Sequence, residues 1–295
     1  MLPWQDHYKQ CPNLVTTETR KTQKRKNLIP CKAVLPRQSA IRYLALTQAN
    51  PMKSICLSLL LVSNIMANAQ TNFKATQMSF ERVAQAYSEK WTGLNKVLRD
   101  QGYSDEFSML INAYKSEGKL EVWLKRRTEK AYSLFRTYDF CAHSGVLGPK
   151  VIEGDKQTPE GFYYINVFNP MSSFHLSLGL NYPNTVDLAR TGSDRKPGSD
   201  IYIHGNCVTV GCIPLTDDKI KELYILATEA RNSGQERIPV SIYPFKMTEL
   251  NMKKYVNQFP AQSAFWKTLQ PGYLAFEKNK KQLNMNEVNR KYILK

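Results

Sequence analysis

The residues best equipped for chemistry lie in one stretch, Ile201-Tyr202-Ile203-His204-Gly205-Asn206-Cys207-Val208-Thr209-Val210-Gly211-Cys212-Ile213-Pro214. An apolar strand delivers His204 to its end, and a glycine-containing loop returns the chain to Cys212. A nucleophilic cysteine needs a base within hydrogen-bond reach to hold it as thiolate, and backbone N–H groups for an oxyanion. A strand-end histidine facing a cysteine on the returning loop could meet the first need. The amides of Gly211 and Cys212 could meet the second, and Gly211 lets the backbone approach a substrate closely.

Two other uses compete. His204, Cys207 and Cys212 have a spacing within the range of structural metal ligands, with Cys141, His143 or His175 as a fourth. A Cys207–Cys212 disulfide would close a tight loop and consume the nucleophile. Neither accounts for the histidine and the glycines together. The reading taken is a cysteine nucleophile, with no metal and no cofactor, and with Cys207 and Cys141 in structural roles.

The elements that must position this pair follow from periodicity. Phe80, Val83, Ala84, Tyr87, Trp91, Leu94 and Leu98 recur at helical spacing over 79–100, with Ser79 placed to cap the start and Gly102 the end. A second helix is expected from Asp105 to Ser116, ending at Gly118. From Leu120 the period changes to two, and a turn at Arg126–Lys130 separates this strand from an extended run to Phe140, a hairpin signal. Further strands are expected at Gly161–Phe168, Phe174–Leu180, Asp200–His204 and Arg237–Tyr243, with Thr216 capping a helix that runs to Ala230. His175 falls mid-strand on this reading, as a structural histidine. The tail from Met247 to Lys295 reads as helical in pieces.

The first 70 residues read as two unrelated things. Met52-Lys53, the apolar run Ser54–Val62 and Ala67-Asn68-Ala69 form a secretory signal peptide, too short to span a bilayer comfortably. A signal peptide starts a chain, so translation is expected to begin at Met52, with residues 1–51 a non-native or disordered leader. The expected layout is therefore 1–51 leader, 52–69 signal, 70–118 helical region, 119–245 catalytic domain and 246–295 helical extension. The net charge of +16 argues less for nucleic acid than its size suggests, because residues 1–51 supply +7 of it and no basic stripe remains. Export leaves Cys141, Cys207 and Cys212, an odd number in an oxidising compartment, so at least one thiol stays free. Nucleophilic work is the commonest reason.

At this point the residues resemble a family. The stretch is similar to the catalytic domain of the YkuD-like L,D-transpeptidases, specifically the YafK-like branch: His204, a short loop, then Thr209-Val210-Gly211-Cys212 in place of the family's [S/T]-H-G-C. Ser144-Gly145-Val146-Leu147-Gly148-Pro149-Lys150, Glu153–Tyr163 and Leu178–Asn184 also look like that branch. The resemblance implies an α+β fold, a β-rich sandwich-like catalytic domain flanked by N- and C-terminal helices. It implies an exported, periplasmic or cell-envelope enzyme acting on peptidoglycan stem peptides, and in some members on wall-linked protein, with no nucleic acid and no stable membrane span. Attack by Cys212 on the carbonyl of the L-centre of meso-diaminopimelate would release D-Ala and leave a thioester. An amine would resolve it to a crosslink, or water to a trimmed peptide.

Two positions depart from the wider family, Val210 where it has a second histidine and Pro214 where it has an arginine for a substrate carboxylate. Some members of the branch resemble hydrolases, so hydrolysis remains an alternative, as does a non-catalytic wall-binding module. The remaining candidates are Asp155 and Glu160 for substrate positioning (or as turn carboxylates capping amides), Gly205 and Thr209 beside the motif, and Arg190 for a stem-peptide carboxylate (or as a solvated loop residue).

Overall fold

In a computed structural model, which describes residues 73–103 and 106–295, the chain forms an α+β body. The expected leader and signal segments lie outside the described residues. Helix α1 (Glu81–Asp100) starts from Phe80, which makes no side-chain cap; Ser79 instead bonds Thr76 O. Gly102 lies just past the helix end in the left-handed region, as expected.

The segment expected as a second helix is a strand. Strand β1 (Phe107–Tyr114) pairs antiparallel with β2 (Lys119–Arg126), and β2 pairs with β3 (Ser133–Asp139). The reason is burial on both faces. Met109, Ile111 and Ala113 enter one apolar cluster, while Leu110 and Tyr114 enter clusters on the other side. A strand covered on both faces reads as a continuous apolar run and loses the alternation that marks a half-exposed strand.

The remaining strands are β4 (Gly161–Asn169), β5 (Ser177–Leu180), β6 (Tyr202–His204), β7 (Ile213–Pro214) and β8 (Ile238–Tyr243). They complete one eight-stranded sheet in the order β3-β2-β1-β8-β4-β5-β6-β7. β8 is therefore central, parallel to β1 and antiparallel to β4. The sheet curls so that its two edges approach: just past β3, Cys141 N–H donates to Pro214 O of β7 at 3.1 Å.

One face carries α1 and α3 (Asp217–Asn232), whose Leu223, Tyr224 and Ala227 pack into the larger cluster with Val83 and Leu98. Thr216 caps α3 as expected, accepting from Lys219 N–H. The other face is covered by α4 (Glu249–Gln258) and α5 (Ser263–Asn279), with Phe265, Trp266 and Leu269 against Tyr243 and Phe245. The short α2 (Thr185–Thr191) is held by an Asn184–Asp187 capping box. The tail ends in a hairpin of β9 (Met285–Val288) and β10 (Lys291–Leu294), not in helix; Tyr292 anchors it under α5. No described helix is long and apolar enough to cross a membrane.

Candidate active site

The short strands β6 and β7 run parallel, with Ile203 opposite Ile213 and His204 opposite Pro214. Cys212 precedes β7 by one residue and so lies level with Tyr202. With strands about 4.8 Å apart and a rise of about 3.3 Å per residue, the Cα atoms of His204 and Cys212 stand roughly 8 Å apart. Residues two apart on a strand share a face.

His204 is only 2% exposed. Its ring lies against Phe174, with centroids 4.7 Å apart, and its Nδ1 is 2.5 Å from Gly205 O. A carbonyl only accepts, so Nδ1 carries the hydrogen and Nε2 keeps its lone pair. Burial pushes the imidazole below its ordinary pKa, against the opposing pull of the Gly205 carbonyl. Gly205 has no room for a side chain: a Cβ would come 2.6 Å from Asp217 Oδ1 and 2.9 Å from Phe174 O. Its contribution is to orient the histidine.

Cys212 is the free cysteine among the described residues. Its Sγ–H donates to Asp200 O at 3.5 Å, and Tyr202 N–H donates to Sγ at 3.4 Å. Burial pushes the thiol above its ordinary pKa, with the Tyr202 amide opposing. Thiol and imidazole are thus both neutral at rest, and among the described residues they make no hydrogen bond to each other.

The loop before the thiol is braced from within. Thr209 Oγ1 donates to Cys212 O at 2.8 Å and accepts from Gly211 N–H at 3.1 Å. Thr209 is therefore a brace, and the Gly211 amide, expected as an oxyanion donor, is engaged at rest. Gly211 sits at φ 141°, where only glycine is comfortable, and a Cβ would meet Gln157 O at 2.9 Å.

Cys207 is disulfide-bonded to Cys141, with Cα atoms 5.3 Å apart. That replaces the packing role expected of Cys207. It also removes both competing uses, since neither a bridge to Cys212 nor a metal set containing Cys207 can form. The bridge joins the segment after β3 to the loop that leads into Cys212.

A pocket of about 210 Å³ opens beside the thiol, lined by Cys212, Lys115, Thr158, Phe140 and the segment Ala142–Leu147. Lys115, Phe140 and His143 were not singled out for this wall from sequence. The spacing of Ser144–Lys150 carried a family likeness but no geometry, and the wall forms only when the sheet edges meet.

Several expected site residues are structural here. Glu160 is fully buried and accepts from Lys115 Nζ at 2.9 Å, Gly148 N–H at 2.8 Å and Trp266 Nε1–H at 2.8 Å, so no lone pair faces a substrate. Asp155 accepts from Lys150 Nζ, Val151 N–H, Ile152 N–H and Gln157 N–H, the turn-capping alternative. Burial raises the pKa of Asp155, but Lys150 and these amides outweigh it and hold the carboxyl below its ordinary value. Arg190 stacks on Phe265, its guanidinium 3.9 Å from the ring centroid, and does not line the pocket. His175 lies in the turn before β5, at φ 68°, and not in mid-strand. Among the described residues, no group of three or more His, Cys, Asp or Glu could hold a metal.

Residues 110–242 match the family model for the L,D-transpeptidase catalytic domain, YkuD. Over 186 residues the chain is 37% identical to "Putative L,D-transpeptidase YafK" of Escherichia coli K12, covering 62% of this chain and 72% of that protein. Among solved structures it is similar to the helical cell shape determining protein Pgp2 from Campylobacter jejuni, at 18% identity, covering 65% of this chain and 80% of that one with a TM-score of 0.39. A second is Bd1075 of Bdellovibrio bacteriovorus, at 20% identity, 62% and 78% coverage and a TM-score of 0.35.

Proposed function

The chain belongs to the L,D-transpeptidase family, and from that premise we propose that it is an exported cysteine acyltransferase of peptidoglycan stem peptides, with Cys212 as nucleophile and His204 as general base. The observation that carries the reading is the state of the three cysteines past the signal segment. Two are joined to each other, and the third is free, at a pocket, one strand away from a histidine whose Nδ1 is already held. The Cys141–Cys207 disulfide supports an oxidising compartment, and hence export past the signal at 52–69.

In the first half-reaction, Cys212 Sγ attacks the carbonyl of the L-centre of the diaminopimelate residue, and its proton passes to His204 Nε2. Collapse of the tetrahedral species breaks the bond to D-Ala, and the same proton leaves on its amine. In the second, an acceptor amine or water gives a proton to His204 Nε2 and attacks the thioester, and the thiol is restored. A neutral thiol beside a neutral imidazole suits this sequence, because the base is free to take the proton during attack. The Cys212 amide is the remaining candidate donor from the loop for the oxyanion, with the Gly211 amide released from Thr209 as a second.

The wild-type protein is incubated with disaccharide tetrapeptide, with and without an added amine acceptor, and the products are separated by mass. Release of D-Ala with crosslinked product in the acceptor arm is expected. Trimmed peptide in both arms would assign a hydrolase instead. An unchanged profile, shared with Cys212→Ala, would leave only a wall-binding module.

A further inference from the structure

His204 is held by hydrogen bonding at one edge only. Its Nδ1–H donates to Gly205 O, and among the described residues its ring makes no other hydrogen bond. In the serine–histidine–aspartate arrangement a carboxylate on that nitrogen orients the imidazole. Here the neighbouring carboxylate, Asp217 of α3, accepts from Asn206 N–H instead. A single carbonyl contact leaves both faces of the ring to be fixed by packing.

Phe174 supplies one of those faces. The two ring centroids are 4.7 Å apart and the planes are inclined by 37°, a tilted stack. His204 is 2% exposed, whereas Phe174 is 40% exposed and joins none of the three apolar clusters. A phenyl ring left so far in water gains little from burial, so core packing does not account for it. Phe174 was expected to open a strand, and it stands instead in the turn between β4 and β5.

The turn is tied down on both sides. Ser172 Oγ accepts from Phe174 N–H at 3.0 Å, and His175 folds the chain through the left-handed region. Arg82 of α1 donates to both Ser172 O and His175 O. Towards the active site, Gly205 N–H donates to Leu176 O at 3.1 Å, and Phe174 O lies against Gly205. Ser177 is paired with His204 itself. The phenyl ring and the imidazole are thus carried by one short ladder, which fixes their relative position.

We propose that Phe174 is the positioning residue of the general base, its ring clamping the His204 imidazole at the Gly205 carbonyl and keeping water from it. The proposal rests on the reading of His204 as base and deepens it.

The ionisable groups about the imidazole and the turn are Cys212 before β7, Asp217 and Lys221 on α3, Arg82 and Glu89 on α1, and His175. Asp217 is engaged by Asn206 N–H, Arg82 by the two turn carbonyls, and Lys221 by Glu89. Burial lowers the His204 pKa, opposed by the Gly205 carbonyl. Uncovering the ring weakens the larger influence, so the pKa rises toward the ordinary histidine value of about 6.5. The base must be neutral to take the thiol proton, so the acidic limb of kcat/KM moves to higher pH.

The test compares the exported wild-type protein with Phe174→Ala and Phe174→Tyr. An NMR titration of the His204 ring, assigned with His204→Gln, needs no substrate. Phe174→Ala is expected to titrate at higher pH than wild type, and Phe174→Tyr with wild type. On disaccharide tetrapeptide, Phe174→Ala should lose roughly tenfold in kcat as the base loses its fixed geometry. Its acidic limb should move up in pH, with KM within about twofold. Phe174→Tyr should restore both the rate and the limb. If Phe174→Ala melts early, Phe174→Leu carries the test, with smaller shifts in the same direction. An unmoved His204 titration in the alanine and leucine variants, or equal losses in alanine and tyrosine, overturns the proposal. A wild type that releases no D-Ala removes the functional reading instead, and the titration still decides whether Phe174 governs His204.

Discussion

The two lysine–carboxylate pairs near Cys212 and the proposed pair of Cys212 and His204 are drawn from similar chemistry and treated oppositely. Lys115–Glu160 is buried and Lys150–Asp155 largely so, and their polar atoms are engaged by each other, by backbone and by Trp266. Cys212 and His204 hold only weak or backbone contacts, and among the described residues they make no hydrogen bond to each other. Satisfied polar groups fix the frame, and groups left unsatisfied or weakly held are available to react. The contrast also separates two jobs that look alike in sequence, since Asp155 and Glu160 stand in a loop beside the groove yet act as staples.

Breaking the frame should therefore cost stability, whereas disturbing the proposed pair should cost turnover. The largest effect is expected at Glu160→Ala, which leaves the Lys115 ammonium buried and unpaired. Denaturant unfolding should show a loss of about 3–5 kcal/mol, and a near-native midpoint would contradict the staple assignment. Next is the bridge. It spans 66 residues, and loop-closure entropy puts its removal in Cys141→Ser/Cys207→Ser at roughly 4 kcal/mol. Turnover should fall further than the unfolded fraction explains, because the bridge also positions the loop before Cys212.

Thr209→Val tests the brace with a side chain of nearly the same shape. It removes two hydrogen bonds, so stability should drop by about 1–2 kcal/mol, and kcat should fall roughly tenfold as the thiol loses its fixed geometry. Equal kcat in the variant would mean that the loop is held by other contacts.

The smallest effect sharpens the comparison through a carboxyl without a lysine. Asp187 is fully buried and bonded to Tyr163 OH and Asn184 N–H, and burial pushes its pKa up to about 7. Its folded pKa therefore exceeds the unfolded value of about 3.9. The folded state holds the extra proton between these values, so this contribution is complete below about pH 4 and is lost as pH rises through about 7. Thermal melts across that window should decline more in wild type than in Asp187→Asn, and parallel curves would argue against the shift.

Local chemistry was legible in the sequence and long-range closure was not. The Thr216 cap, the Gly102 helix end and the strand delivering His204 depend on neighbours within a few residues, and each appears where periodicity placed it. Strand β1 was missed although its antiparallel partner β2 follows it directly, because covering on both faces erased its alternation. The Cys141–Cys207 bridge and the Ala142–Leu147 wall arise from the meeting of opposite sheet edges, which no local pattern encodes. Glu160 was ambiguous because one residue type serves staple and groove alike, and only its three partners decide.

The most direct test of the central claim is the intact mass of the protein after incubation with a carbapenem or a tetrapeptide donor. A single covalent adduct that maps to Cys212, absent in Cys212→Ala and slowed in His204→Ala, is the predicted result. An unmodified wild-type protein, or an adduct that survives in Cys212→Ala, would contradict it.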